Sequence, residues 1–220
     1  MSLLKEASVL FQTGRDLGFY RAVTDEQIEL IDIQRTLEIR SRRDFVDLSI
    51  SETLYNLVLL GVEFPSDLAL WDREIAKIVK KFKINEKILY NIKIEVYSKT
   101  GSWPLLQVRY SLTHLTSYSP NFLLTHSQKL AVEKKSPVGY KAFAQACIKY
   151  KQSGVETEKY IEKVSAYEDK YELYMEVSAF RKAFEAAKQI RDPLYSHRLN
   201  EIMRLCKDPV LERQVQELAK

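Results

Sequence analysis

Apolar residues recur along this chain at spacings of three and four, which is the pattern of amphipathic helices. The densest stretch runs from Phe45 to Gly61 and reads FVDLSISETLYNLVLLG. Its apolar positions point in all directions around a helical wheel, so the pattern predicts a helix buried on nearly every side. Ser49 and Glu52 have the spacing of a capping box at its start, and Gly61 is predicted to end it.

The segment Thr24–Arg40 is predicted to form the helix before it, because Thr24 and Gln27 again have capping-box spacing. Its apolar residues form two stripes on nearly opposite faces, the first of Leu30, Ile33 and Leu37 and the second of Ile28, Ile31 and Ile39. One stripe can face the chain's own core. The other needs cover from another helix or from a partner, and the pattern leaves that choice open.

The segment Leu3–Phe11 is predicted as a short amphipathic helix, and this end of the chain has the character of the cut edge of a longer protein. Downstream of the central helix, Ser66–Phe82 carries apolar residues on one side only. Asn85 is predicted to cap a helix over Glu86–Lys99, which has apolar residues on two faces. Gly101–Ser136 has no regular pattern.

From Ser136 onward the pattern becomes regular again. Three capping residues precede prolines and are predicted to start helices, namely Ser136–Pro137, Asp192–Pro193 and Asp208–Pro209. Two further capping boxes are predicted, at Ser153 with Glu156 and at Ser165 with Glu168. The small and aromatic residues between Ala179 and Ile190 alternate on one face, which favours close helix pairing.

These patterns predict an all-α fold, an α-solenoid of stacked antiparallel helical hairpins. We expect one domain over residues 1–220, a C-terminal fragment of a longer protein. Its first half covers residues 1–100, an irregular connection covers 101–135, and C-terminal hairpins cover 136–220.

Composition excludes several classes of function. The 34 basic and 30 acidic residues are mixed along the chain, without the basic block of a nucleic-acid arm. No apolar run approaches the roughly 20 residues of a membrane-spanning helix, so we expect no direct membrane insertion. Cys147 and Cys206 are predicted to be buried thiols. His114 and His126 lack the spacing and companions of a zinc site and are predicted to be surface histidines.

None of the compact catalytic, metal or cofactor signatures is present, and the carboxylates mostly lie beside lysines or arginines at helical spacing. The sequence therefore predicts a protein that is not an enzyme and needs no cofactor. The C-terminal tyrosines repeat at core-like spacing, which indicates packing rather than base stacking. A helical RNA-binding domain is the alternative from another class, and it would require a contiguous basic face.

Five segments together resemble the C-terminal domain of the vacuolar protein sorting-associated protein 16 family. They are FVDLSISETL, KINEKILYNIKI, KKSPVGYKAFAQACIKY, EKYIEKV and EVSAFRKAFEAAKQIRD, in that order. The resemblance covers about Thr24 to Asp192. The stretch from about Leu106 to Lys134 looks longer than the family's usual connection between its two helical blocks.

The resemblance implies an α-solenoid that binds an SM protein, a regulator of SNARE assembly, within the HOPS and CORVET tethering complexes. Such a protein would be a scaffold that positions its partner for membrane fusion, with other HOPS and CORVET subunits as further partners. It would be cytoplasmic and peripheral on the cytosolic face of late endosomes and the vacuole or lysosome. The alternatives are a generic α-solenoid trafficking adaptor and the paralogue that binds a different SM protein.

The resemblance also implies that the SM-binding surface lies in the first half of the chain. The two-sided helices suggest the start and outer face of the Thr24 helix together with the start of the Glu86 helix. The predicted partner-binding residues are Val23, Gln27, Leu30, Ile31, Gln34, Lys83, Asn85, Lys87, Ile88 and Asn91. Apolar members would lose water on docking, while polar rim residues would set the register and the choice of partner.

Overall fold

A computed structural model describes residues 2–14, 16–103, 137–190 and 194–218, and these residues form eleven α-helices and one short 3₁₀ turn. The described residues contain no strand, so the predicted all-α class is confirmed. The helices are α1 Ser2–Gln12, α2 Gly18–Ser41, α3 Ile50–Glu63, α4 Leu68–Lys81, α5 Glu86–Lys99, α6 Lys141–Lys149, α7 Gly154–Glu162, α8 Tyr167–Glu176, α9 Phe180–Gln189, α10 Tyr195–Leu205 and α11 Pro209–Leu218.

The chain divides into two compact units, Met1–Lys83 and Ile84–Lys220. In the first unit α1 packs on α2 and α3 packs on α4. In the second, each described helix packs mainly on the described helices before and after it, from α5 with α6 through to α10 with α11. Contacts between sequence neighbours are the mark of stacked hairpins, as the solenoid prediction requires. The division of residues 1–220 into a binding half, a connection and a hairpin half stays a prediction.

The central helix of the first unit begins where the sequence indicates. The Ser49 hydroxyl accepts from the Glu52 N–H, and the Glu52 carboxylate accepts from the Ser49 N–H at 2.8 Å, so the capping box is complete. The predicted end at Gly61 is wrong, because α3 continues to Glu63. Gly61 is buried inside the helix instead, and a Cβ there would lie 2.9 Å from Leu68 Cδ1. This glycine therefore permits close packing of α3 against α4.

The predicted start of the second helix at Thr24 is also wrong, since α2 begins at Gly18 and Leu17 precedes it without a side-chain cap. The Thr24 hydroxyl donates to the Tyr20 carbonyl at 2.8 Å, a bond made within an existing helix rather than at its start. The other end agrees with the pattern, because α2 ends at Ser41.

The second unit has a core of small and aromatic side chains from successive hairpins. Ala144, Ala183 and Ala187 are fully buried beside larger residues such as Phe184 and Tyr160. The Glu95 carboxylate accepts from Lys149 Nζ at 2.7 Å and from the Tyr150 hydroxyl, which joins α5 to α6. Burial alone would raise the pKa of Glu95, but these two donors outweigh it and lower that pKa.

Some of the helix starts predicted in this unit are confirmed and others are wrong. Asp208–Pro209 starts α11, with the Val210 N–H donating to the Asp208 carboxylate at 3.0 Å, and the Ser153 hydroxyl accepts from the Glu156 N–H. Ser165 does not start a helix, because α8 begins after Ala166. The helices predicted at Pro137 and Pro193 begin later, at Lys141 and Tyr195. Ser136 and Asp192 themselves, like most of the predicted connection with His114 and His126, lie outside the described residues.

Candidate partner-binding site

The first group of predicted partner-binding residues lies along α2. Val23 and Gln27 are exposed, and Val23 leaves 48% of its surface accessible, while Ile31 is half-buried. Leu30 and Gln34 are different, with only 4% and 0% of their surface accessible. A partner cannot contact side chains that the chain itself covers, so we leave these two residues out of the candidate surface.

Gln34 is buried because it forms an internal polar link. Its side-chain nitrogen donates to the Leu48 carbonyl at 2.7 Å and to the Thr53 hydroxyl oxygen at 2.9 Å. These bonds join the middle of α2 to the start of α3 and satisfy a donor that would otherwise be costly to bury. Leu30 lies one turn earlier on the same stripe. The sequence pattern predicted that Gln34 lies at the surface, but this polar side chain has a structural role in the interior.

The remaining α2 residues lie on the side of a continuous helix and not at its start. Because α2 begins at Gly18, the free first-turn amides of the helix are not near Val23 or Gln27. We call the exposed group Val23, Gln27 and Ile31 the α2 patch. Glu26 is exposed beside it and adds a negative charge.

The second group lies around the start of α5, which agrees with its predicted bounds. The Asn85 side chain caps the helix by accepting from the Lys87 N–H at 2.9 Å. Lys83, Lys87 and Asn91 are exposed, and Ile88 leaves 44% of its surface accessible. The opposite face of α5 is buried through Tyr90, Ile94 and Tyr97.

We call Asn85, Lys87, Ile88 and Asn91 the α5 patch; Lys83, in the first unit, precedes it in the chain. The backbone of Lys83 has φ of 50°, a left-handed conformation uncommon for a residue other than glycine. Among the described residues neither Lys83 nor Lys87 forms an ion pair. Within the α5 patch, an exposed apolar residue accompanied by an exposed lysine and amides is suited to a protein interface with a polar rim.

Sequence reasoning missed one exposed group in the first unit. Phe19 and Tyr20 lie on α2, before the helix start predicted at Thr24, and both are exposed. Their signal was available, because Phe19 and Val23 continue the spacing of Leu30 and Leu37. The misplaced helix start at Thr24 concealed it.

Reactive chemistry is sparse in the part of the chain that the structure describes. Cys147 and Cys206 are buried and unpaired, as predicted, and burial raises the pKa of the Cys147 thiol to about 12. Such a thiol stays protonated and unreactive at neutral pH. The described residues contain no group of three or more potential metal ligands. Among the described helices, none is both long and apolar enough to cross a bilayer.

The architecture and the exposed patches define a protein of helical hairpins with candidate docking surfaces for other proteins. The family model described as "Vps16, C-terminal region" matches residues 1–120 and 123–220. The chain therefore belongs to the family of the C-terminal region of Vps16.

Three curated relatives are similar over most of this chain. Protein VACUOLELESS1 of Arabidopsis thaliana is 25% identical over 193 residues, which cover 87% of this chain and 19% of the relative. The vacuolar protein sorting-associated protein 16 homolog of Dictyostelium discoideum is 28% identical over 164 residues, 74% of this chain and 16% of the relative. Vacuolar protein sorting-associated protein 16 of Saccharomyces cerevisiae is 26% identical over 162 residues, 72% and 16% respectively. The chain thus spans less than a fifth of the length of these relatives.

Proposed function

We propose that this chain is a non-catalytic scaffold region of an endosomal and vacuolar tethering complex, and that it binds an SM-family protein and positions it for SNARE assembly. Membership of the Vps16 family supports a role in vacuolar protein sorting. Within that role, the proposed partners are the SM protein and other subunits of the HOPS and CORVET complexes. The proposed location is the cytosolic face of late endosome and vacuole membranes.

The observation that carries the proposal is the α5 patch. Ile88 is an exposed apolar residue next to Lys87 and Asn91, while the face of α5 behind it is fully used by the core. An apolar residue held on a packed helix loses little conformational freedom on docking, so its burial contributes directly to affinity. The surrounding lysine and amide groups remain hydrated at the edge and select partners of matching charge.

The α2 patch, in the first unit, is a second and separate proposed contact region. Val23 supplies an exposed apolar side chain and Gln27 supplies an exposed amide. Ile31 supplies an apolar side chain that is half-buried. The proposal does not require the buried residues Leu30 and Gln34, which belong to the interior of the first unit. The role of this patch is tested separately from that of the α5 patch.

Substitutions in the two patches test the proposal against a purified SM protein from the same organism. Ile88→Asp and Val23→Asp should each weaken binding by about tenfold or more, because an apolar anchor is replaced by a charge that must be desolvated. Val155→Asp is the matched control, since Val155 is an exposed valine on α7 outside both patches. Circular dichroism should show equal helical content for all four proteins.

Unchanged affinity for both patch variants would refute this surface. If the wild-type chain has no SM affinity while it is folded, the chain is a trafficking adaptor for another protein or the paralogue with a different SM partner. Binding of RNA that weakens steeply with salt would favour the nucleic-acid alternative.

A further inference from the structure

The exposed charged residues of α4 are all basic. They are Arg73, Lys77, Lys80 and Lys81. The same helix also has two carboxylates, but Glu74 is buried, with 8% of its surface accessible, and Asp72 is half-buried. The outermost charged positions of this helix are therefore cationic.

The buried carboxylate of Glu74 holds a cation of α2 beside those of α4. It accepts from Arg40 Nη1 at 2.7 Å and from Lys77 Nζ at 2.9 Å, so two cations share one carboxylate. Because one carboxylate balances only one of them, this contact between α2 and α4 keeps one excess positive charge.

Two further cations of α4 add to this excess. Among the described residues, Arg73 and Lys80 form no ion pair. Arg73, Lys77 and Lys80 follow each other at spacings of four and three, so they lie on one side of the helix. Along its axis they are about 6 Å and about 4.5 Å apart. We call Arg40, Arg73, Lys77 and Lys80 the basic ridge.

Carboxylates limit the basic ridge at both ends. Near the end of α4, Lys81 pairs with Glu29 of α2 at 2.8 Å, and Asp32 is exposed one turn further along α2. Before the start of α4, Glu63 and Asp67 are exposed. A membrane surface or a nucleic-acid duplex is wide, so contact with the ridge would bring its phosphates against these carboxylates. A single narrow segment can follow the ridge and avoid them.

We infer that the basic ridge binds an acidic helix of a partner protein, with carboxylates that repeat at spacings of three and four. These carboxylates meet Arg73, Lys77 and Lys80 in turn. Arg73 is the expected anchor, because a guanidinium can donate two parallel hydrogen bonds to one carboxylate. The inference goes beyond the proposed SM-protein binding and does not rest on it, since no residue of the ridge belongs to the α2 patch or the α5 patch.

The test uses the full chain and two fluorescein-labelled helical peptides of equal length, one with glutamates and one with glutamines at the same positions. Fluorescence anisotropy should show saturable one-to-one binding of the glutamate peptide, about tenfold tighter than that of the glutamine peptide and weaker at high salt. The double variant Arg73→Gln with Lys80→Gln should weaken this binding about fivefold or more. The matched control, Arg204→Gln with Lys207→Gln, removes the same charge from exposed positions of the second unit and should not change the affinity.

Charge reversal in Arg73→Glu with Lys80→Glu should abolish the preference for the glutamate peptide. Circular dichroism should show equal helical content for all variants, because each substituted position is exposed. Equal affinity of the wild-type chain for both peptides would overturn the inference, as would equal effects of the ridge variant and the matched control. Tighter binding of single-stranded RNA or of anionic phospholipid vesicles, lost in the ridge variant alone, would overturn it in favour of a nucleic acid or a membrane.

Discussion

The two units of this chain use their apolar residues differently. In the first unit, large apolar side chains are exposed at the start of α2 and along α1, for example Phe19, Tyr20 and Leu10. In the described part of the second unit, the exposed large apolar residues are scattered over separate helices, for example Ile88 on α5, Val155 on α7 and Val210 on α11. Because single exposed apolar residues are common on protein surfaces, Ile88 indicates a contact only together with the other residues of the α5 patch.

The units also differ in how their helices are joined. The first unit has a tight corner between α2 and α3, where the Glu38 carboxylate accepts from the Phe45 and Val46 N–H groups at 2.8 Å each. The second unit joins shorter helices by side-chain links between hairpins, such as Lys182 with Glu158 and Glu162, both at 2.8 Å. Close packing around small residues accompanies these links. The comparison predicts that the stability of the first unit depends mainly on its central helix, α3. The stability of the second unit should depend mainly on its small buried residues.

The largest expected effect is in the core of the first unit. Leu57→Asp should destabilise that unit by more than about 4 kcal/mol, because Leu57 is fully buried and the new charge would have no partner. Thermal unfolding followed by circular dichroism measures it. Ser51→Asp, at an exposed position in the first turn of the same helix, should have little effect. Full retention of the melting temperature by Leu57→Asp would contradict the assignment of α3 as the core helix.

Overpacking tests the corresponding claim for the second unit. Ala187→Leu should cost about 1–3 kcal/mol, because Ala187 is fully buried where α9 packs against its neighbours. Gln189→Leu adds a side chain of the same kind at an exposed position of that helix and should be nearly neutral. Urea unfolding distinguishes the two. Equal stability of both variants would mean that close approach of the helices is not what stabilises this unit.

The corner of the first unit should depend on pH. The N–H groups of Val46 and Phe45 hold the pKa of Glu38 below its ordinary 4.5. A depressed folded-state pKa means that the unfolded chain binds the proton first, so this stabilisation is present above pH 4.5 and is lost as the pH falls through the folded-state pKa. Glu38→Gln should therefore be less stable than wild type at pH 6, and the difference should shrink towards pH 3. A difference in urea midpoint that is independent of pH would contradict the assignment.

The smallest expected effect is at the ion pairs of the second unit. Lys182→Met should change stability by less than about 1 kcal/mol, because Lys182 is partly exposed and its attraction to Glu158 and Glu162 is screened by water and salt. Urea unfolding at low and high salt measures it. A larger loss of stability that disappears at high salt would contradict this expectation. It would mean that charge attraction, and not packing, is the main interaction between these hairpins.

The sequence predicted the helices well where a local signal and the tertiary structure agree. Ser49 with Glu52 and Asn85 mark true starts because each side chain meets free first-turn amides. Thr24 and Gln27 have the same spacing, but they lie inside a longer helix that begins at Gly18. Phe19 and Tyr20 are compatible with helix, so the helix starts before the predicted capping box. Gly61 was predicted as a terminator, but the close approach of Leu68 explains it better. Residue spacing alone cannot distinguish a true helix end from a position inside a helix, because the difference depends on the neighbouring helix.

The candidate site was predictable only in part for a similar reason. Ile88 and Val23 are exposed as the two-sided pattern suggested, yet Leu30 and Gln34 are buried by packing that the sequence does not specify. A buried glutamine with partners at Leu48 and Thr53 depends on a turn between two helices, which periodicity alone does not encode. The predictions that follow from residue spacing held best on α5, whose buried face includes Tyr90, Ile94 and Tyr97.

The most direct test of the central claim is a calorimetric titration of this chain with a purified SM protein from the same organism, at two temperatures and two salt concentrations. The account predicts a saturable one-to-one isotherm with a negative heat-capacity change, because exposed apolar side chains are buried on binding. It also predicts weaker binding of Ile88→Asp than of Val155→Asp. Absence of both heat and co-elution, with the chain folded, would contradict the claim that this region binds an SM protein.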